Sequence, residues 1–519
     1  MPDLNIADAN FLKRLLLQSE LDPTGRVAVH SPYDGTALAT VMTGGSEHVE
    51  DALAAAHKLH KRRADWLSIP ERVAVLHRLA TLMEGQREEL ALLATSEGGK
   101  PLQDSRVEVT RAIDGIHLCV EELRANRGTV IPLGSTTATQ NRSAYTQKEP
   151  IGVVVAVSAF NHPLNLIVHQ VAPAIAAGCP VIVKPAGDTP LSCLNFVQLV
   201  HDAGLPPAWC QAIVTDSNAT AELLVTDSRV AFFSFIGSSK IGWMLRSKLA
   251  PGTRCALEHG GVAPAIILDD FAFDAAIATI TKGGFYHAGQ VCVSVQRVFA
   301  PVAKARQCAD ALASSASQLR VGDPVDESTE VGPLIRSAEI DRIDAWVNEA
   351  IAQGGELICG GKRLDNNCYT PTVILNPPED AKLSRLEVFG PVVCVYPYDD
   401  VATAIAQAND LPTAFQAAVF GNDFDQLMDV SQQLDASAVM INDHTAFRDD
   451  VMPFAGLRES GLGTGGIPYT LEDMQIEKMT VLPARRSNER HARRHCRQRV
   501  RRHVNWQCMR RLARSSRTE

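Results

Sequence analysis

The chain has 519 residues, 45% hydrophobic and 21% charged, a composition ordinary for a soluble globular protein and long enough for two or three cores. No window reaches the roughly 18 apolar residues of a membrane span, and Lys13 and Arg14 interrupt the short apolar run near Met1, so neither a span nor a signal peptide is expected. The formal charge of −9 is uneven, because Ala484–Glu519 holds 13 Arg against 2 Glu, a net of +11 that leaves −20 for residues 1–483.

Residues 46–125 carry apolar residues at helical spacing. Ser46 reads as a cap before Val49, Leu53 and Ala56, and Leu76, Leu79 and Leu82 mark the next helix. From Arg127 to Glu149 the residues turn β-branched and polar, with Gly134-Ser135 as a turn. This stretch reads as an exposed hairpin, an arm to another subunit. Val153–Val157 is a continuous apolar run, as a parallel strand covered on both faces requires. Pro163 opens a helix with Leu164, Ile167, Val168 and Val171, and strands follow at Val181–Val183, Gln211–Val214, Val230–Phe235 and Cys255–Leu257, with a helix over Leu191–Ala203. Strands alternating with helices imply an open parallel sheet, whose ligands bind beyond the carboxyl ends of the strands. Asn161, Lys184, Gly237, Ser238 and Glu258 all fall there.

A second α/β block follows, with a helix at Asp341–Ala352 and a buried strand at Val392–Val395. Between the blocks lies Gly283-Gly284-Phe285-Tyr286-His287-Ala288-Gly289-Gln290-Val291-Cys292, too rich in glycine for an ordinary core helix. Cys292 is a candidate nucleophile on a turn entering a helix, where the dipole would favour thiolate. Taken alone, it would more often be a packed core cysteine.

Several separated motifs decide between these. They are Phe160-Asn161-His162-Pro163, Val183-Lys184-Pro185-Ala186, Ser234-Phe235-Ile236-Gly237-Ser238, Leu257-Glu258-His259-Gly260-Gly261, Gly289-Gln290-Val291-Cys292, Glu387-Val388-Phe389-Gly390-Pro391 and Pro453-Phe454-Ala455-Gly456. In this order they resemble the NAD(P)-dependent aldehyde dehydrogenase superfamily, from about Ser31 to Leu482. The resemblance implies Cys292 as nucleophile, Asn161 with the Cys292 backbone N–H as oxyanion donors, and Glu258 as the base that hydrolyses a thioester. It also implies NAD or NADP as cofactor, held by Val157, Phe160, Lys184, Ala186, Gly187, Gly237, Ser238, Ile241, Glu387 and Phe389. The implied fold is α/β: an open parallel-sheet dinucleotide-binding domain (1–126 and 150–259), a catalytic domain (260–469) and a β-hairpin oligomerisation arm (127–149 and 470–483), in a homodimer or homotetramer.

Four departures bear on specificity. Gly187 stands where many NAD-using members carry a glutamate, which makes NADP acceptable with Lys184 as its partner. His259 and Val262 replace the commoner Leu and Lys around Glu258, Phe160 replaces Trp, and His162 replaces an apolar aromatic. Arg111, placed on a helix after Val107-Glu108-Val109, and Arg448 resemble substrate-entrance positions. With His162 they would suit a small aldehyde bearing an anionic group or hydroxyls. Val291, where phosphate-handling members often place Arg, weighs against a phosphate, and structural salt bridges are the plain alternative for both arginines.

Two rivals remain in view: a CoA-acylating dehydrogenase, whose branch generally lacks the glutamate at the Glu258 position, and a non-catalytic scaffold with a nucleic-acid-binding tail. Twelve cysteines without a C-x-x-C pair argue against metal sites and disulfides and for a reducing cytoplasm. No nucleic acid or membrane partner is expected for the body, and the Arg-rich tail from Ala484 has the composition of a disordered segment.

Overall fold

The unbroken apolar runs of this chain form two largely parallel sheets, each buried between helices. The computed structural model describes residues 9, 12, 14–18, 21–125 and 127–483. The basic tail expected from Ala484 lies outside the described residues. The described chain divides into a larger unit, which takes in residues up to Ala125 and Pro150–Ile476, and a smaller one of 127–149 and 477–483.

The larger unit contains both sheets. The first orders its strands Gly461–Leu462, Arg254–Glu258, Val230–Ile236, Val153–Val157, Val181–Lys184, Cys210–Ala212. All pair in parallel except the Gly461–Leu462 edge. Val153–Val157 is flanked by Val181–Lys184 on one side and Val230–Ile236 on the other, so the strand order reverses there and leaves a crevice beyond its carboxyl end. The second sheet runs Glu356–Cys359, Thr372–Leu375, Val392–Tyr398, Val295–Pro301, Ala263–Ile267, Gln416–Phe420, Ala438–Ile441. Only its Glu356–Cys359 edge is antiparallel. Separate apolar cores pack each sheet, and a small cluster of Val291, Val293, Phe415 and Phe454 lies under Cys292.

The helices of 46–125 run Ser46–Lys61, Ile69–Gly85, Arg87–Gly98 and Leu102–Ala125. Four local expectations change. Ser46 is the first helical residue and Gly45 the cap, its N–H donating to His48 Nδ1 at 3.2 Å. Val107-Glu108-Val109 lies inside the same helix as Arg111. Gly283 and Gly284 are helical after all, closing the helix Phe273–Phe285. Their missing side chains permit close packing, since a Cβ would stand 2.5 Å from His444 Cβ at one and 2.6 Å from Val393 Cγ2 at the other. The helix expected from Pro163 starts at Asn165.

In the smaller unit, Val130–Ile131 pairs antiparallel with Arg142–Pro150, whose other side is lined by the strand Gln475–Pro483. The connection between the first two strands is longer than a turn at Gly134-Ser135. It closes at Thr136–Gln140, with Thr139 Oγ1 accepting from Gly134 and Thr136 N–H at 3.3 Å each.

After Phe285 the chain enters a short 3-10 turn, Tyr286–Gly289, in which His287 and Ala288 take left-handed backbone angles, followed by Gly289 at φ +69°. A Cβ on Gly289 would stand 2.1 Å from the Gly390 carbonyl oxygen. Gly289→Ala should therefore destabilise the protein by about 2 kcal/mol or more. The check is a lowered urea midpoint, and an unchanged one would show that the turn tolerates a side chain.

Candidate active site

Cys292 sits on the turn between Gly289 and the strand Val295–Pro301. The turn thus leads into a strand, and the helix dipole expected to favour thiolate is not there. Burial instead pushes the thiol above its ordinary range, reinforced by the nearby Glu387 and Glu258 carboxylates and opposed by Arg448. Gln290 anchors the turn: its side-chain amide donates to the Pro333 carbonyl at 3.2 Å, and its Oε1 accepts from Ile335 N–H at 3.0 Å. Asn161, four residues beyond the strand Val153–Val157, donates from Nδ2 to the Gln290 carbonyl at 2.9 Å. That bond ties the crevice loop of the first sheet to the cysteine turn of the second.

Glu258 ends the strand Arg254–Glu258, and burial raises its carboxyl to about 7, with Arg448 opposing. Glu387 is also buried, its carboxyl pushed up to about 8, and its Oε1 has no hydrogen-bond partner. Phe389, at a left-handed φ of 48°, meets Phe160 edge to face at 5.8 Å.

Cys292, Asn161 and Glu258 line one cavity of about 820 Å³. Its wall also includes Val157, Phe160, Ala186, Gly187, Gly237, Ser238 and Ile241. Glu387 and Phe389 contribute as well, as do Arg111, His162 and Arg448. Lys184 is not in this wall. Its Nζ donates to the Pro185 carbonyl at 3.0 Å, and burial lowers its pKa. His259 Nδ1–H donates to the Gly237 carbonyl at 2.9 Å, so this unexpected histidine braces the turn that opens the helix Ser239–Arg246.

The three basic residues expected at the substrate entrance differ. Arg111 forks onto Asp450 at 2.6 and 3.2 Å, and Asp450 also accepts from His169 Nε2 at 2.8 Å. Burial would raise Asp450, but His169 and Arg111 outweigh it and hold the carboxyl below its usual range. The charge of Arg111 is therefore already matched. His162 supplies no charge, because burial and the Lys100 ammonium push it well below its ordinary pKa. Arg448 lies over the Phe454 ring at 4.3 Å and donates to the Met452 carbonyl at 2.7 Å. The other cations of the wall, Lys282, Arg336 and Arg342, pair with Asp104, Asp188 and Glu339, whereas Arg448 forms no salt bridge among the described residues.

A model of the Aldehyde dehydrogenase family matches residues 20–480. The chain belongs to the aldehyde dehydrogenase family. This dehydrogenase oxidises an aldehyde to the carboxylic acid with NAD or NADP. The 3-sulfolactaldehyde dehydrogenase of Priestia aryabhattai is 35% identical over 469 residues, covering 90% of this chain and 97% of that one. Among solved structures, an aldehyde dehydrogenase from Physcomitrella patens in complex with the reaction product succinate is similar at a TM-score of 0.86 and 33% identity, covering 90% of this chain and 96% of that one. Glyceraldehyde-3-phosphate dehydrogenase from Methanocaldococcus jannaschii, complexed with NADP, gives 0.84 and 32%, with 88% and 99% covered.

Sequence reasoning missed the layer behind the dehydrogenase's cavity wall. Lys100, fully buried, pairs with Glu108 and reaches His162 Nδ1 at 3.0 Å. Glu108 Oε1 accepts the Leu164 and Asn165 N–H groups at 3.0 and 2.9 Å, capping the helix that follows Asn161. The signal was a lysine between Gly99 and Pro101, preceding an apolar helix that carries an acid on the same face. Nothing local says that the pair is buried.

The raised thiol has a measurable consequence. Alkylation of Cys292 by iodoacetamide should be slow at neutral pH and climb about tenfold per pH unit, without levelling near the ordinary thiol value of about 8.5. Mass spectrometry of the Cys292 peptide reads this, and a plateau at or below that pH would contradict the burial effect.

Proposed function

We propose that Cys292 is the nucleophile, Asn161 the oxyanion donor and Glu258 the base of this dehydrogenase, and that its substrate is a short aldehyde with a distal anionic group. The observation that carries the reading is that all three residues line one cavity together with the unpaired cation Arg448. The amide nitrogen of Asn161 has two hydrogens. One is fixed on the Gln290 carbonyl, which leaves the other aimed by that bond.

The Cys292 sulfur attacks the aldehyde carbon and its proton passes to Glu258, whose raised pKa suits it to receive one near neutral pH. The oxygen, now bearing charge, takes hydrogen bonds from Asn161 Nδ2 and the Cys292 backbone N–H, each donor contributing about 10²–10³ in rate. A bound NAD or NADP would supply the hydride acceptor, so that oxidation of the adduct would leave Cys292 carrying the acyl group as a thioester. Glu258, having released the first proton to solvent, takes a proton from the water that attacks the thioester, and the Cys292 sulfur leaves as thiolate.

The cavity wall also carries groups that suit the cofactor. The unpartnered Glu387 Oε1 is an acceptor for a ribose hydroxyl, and Gly237 with Ser238 precedes the helix Ser239–Arg246, where backbone N–H groups favour a pyrophosphate. NADP is favoured, since nothing lies within 4 Å of where a Cβ on Gly187 would be. Lys184 and Arg336 are the cations nearest that loop in sequence or by contact with Asp188. The apolar residues Val130 (79% exposed) and Met479 (55%) support the smaller unit as an arm in a homodimer or homotetramer. The ten described cysteines are free thiols, as suits a reducing cytoplasm.

Glu258→Gln should keep a stoichiometric burst of reduced cofactor while steady turnover falls about 10²-fold or more. In the unaltered enzyme, turnover should drop as pH falls through about 7, because the base is then protonated. Unchanged turnover in the variant would remove Glu258 from the mechanism. An aldehyde panel with NAD and NADP tests the substrate class. Arg448→Ala should lose about tenfold or more in kcat/KM on succinic semialdehyde relative to butanal, and an equal loss on both would remove the anion clamp.

A further inference from the structure

The wall of the cavity holds a histidine whose tautomer is set from behind. Glu108 receives three donors, the Leu164 and Asn165 N–H groups and the Lys100 ammonium, the first two at the positive end of a helix. The ion pair with Glu108 holds the proton on Lys100 against the burial that lowers the pKa of its ammonium. An ammonium has no lone pair, so at 3.0 Å from Lys100 Nζ the His162 Nδ1 can only accept. The ring proton of neutral His162 must then sit on Nε2. His162 forms part of the cavity wall, and its Nε2 has no hydrogen-bond partner among the described residues.

We infer that Lys100 is a positioning residue that locks His162 as an Nε2–H donor, and that this N–H receives a hydroxyl on the carbon next to the aldehyde, making the enzyme selective for 2-hydroxyaldehydes. The inference rests on Asn161 marking the position of the reacting oxygen. His162 is the next residue in the chain, on the turn that Glu108 fixes, so its reach is to the atoms beside the carbonyl rather than to the far end of the substrate. A neutral donor also suits this place. A neutral N–H distinguishes a hydroxyl from a hydrogen without adding charge.

The test uses neutral aldehydes, so that Arg448 and a distal anion play no part. Purified full-length enzyme is assayed with lactaldehyde, propanal and 3-hydroxypropanal. Lactaldehyde should exceed propanal by about tenfold in kcat/KM, the effect of one well-placed neutral hydrogen bond, while 3-hydroxypropanal should stay within about twofold of propanal. His162→Phe should bring the lactaldehyde-to-propanal ratio to within about twofold of one. In enzyme labelled with ¹⁵N-histidine, His162 should show a bare Nδ1 and a protonated Nε2 at neutral pH, a signature that Lys100→Met removes. Equal rates on lactaldehyde and propanal, equal gains from either hydroxyl, a protonated Nδ1, or a ratio untouched by His162→Phe would each overturn the inference while leaving the catalytic reading standing. Silence on every aldehyde would overturn both.

Discussion

The turn from His287 to Cys292 is the constraint on which the site depends. Its left-handed residues give a reactive side chain no stability of their own, and such a backbone persists only where its surroundings over-determine it. Gln290 does this from one side, with its amide satisfied at Pro333 and Ile335. Asn161 does it from the other, through the Gln290 carbonyl. The same bond that steadies the turn orients the amide proposed to stabilise the reacting oxygen, so the two elements cannot be displaced independently. A loop of one sheet and a turn of the other thereby become one rigid object, with the Val291, Val293, Phe415 and Phe454 cluster as its floor.

Low dielectric sets the chemistry inside that object. Glu258, Glu387 and Cys292 all stand above their ordinary pKa values because burial disfavours each charged form, and the two carboxyl groups also disfavour the thiolate. Near neutral pH the resting site therefore carries less negative charge than three exposed acids would, with Glu258 poised to gain or lose its proton. Arg448 is the counterweight, itself lowered by burial and drawn back by Glu258. A cation left without a carboxylate partner is costly to bury, and the anionic substrate proposed above would offset that cost. Arg111 shows the contrasting arrangement, with Asp450 already neutralising it and His169 donating to the same carboxylate.

Behind the wall, Lys100 and Glu108 form a second layer that meets His162 in the wall itself. Glu108 satisfies the open N–H groups of a helix that begins without a side-chain cap of its own. Lys100 completes the carboxylate and faces His162. Each bond in this chain removes an alternative from its neighbour, which is how a buried polar network specifies geometry when fully satisfied.

Periodicity and motif order made much of this protein legible. Continuous apolar runs placed the strand Val153–Val157 to the residue and its neighbours to within two, since burial on both faces forbids polar interruptions. Glycines and polar residues at strand ends located Asn161, Gly237 and Glu258, because an open parallel sheet offers ligands only that edge. Tertiary structure decided what lies further apart in the chain than any local rule reaches. It put Gly283 and Gly284 in a helix, because His444 and Val393 press on them, and it led the Cys292 turn into a strand rather than a helix. It matched Arg111 to Asp450, 339 residues away, and left Arg448 unmatched. Charge and protonation follow from burial and from partners distant in sequence, so the sequence alone named the candidate residues while only the fold determined which of them carry charge.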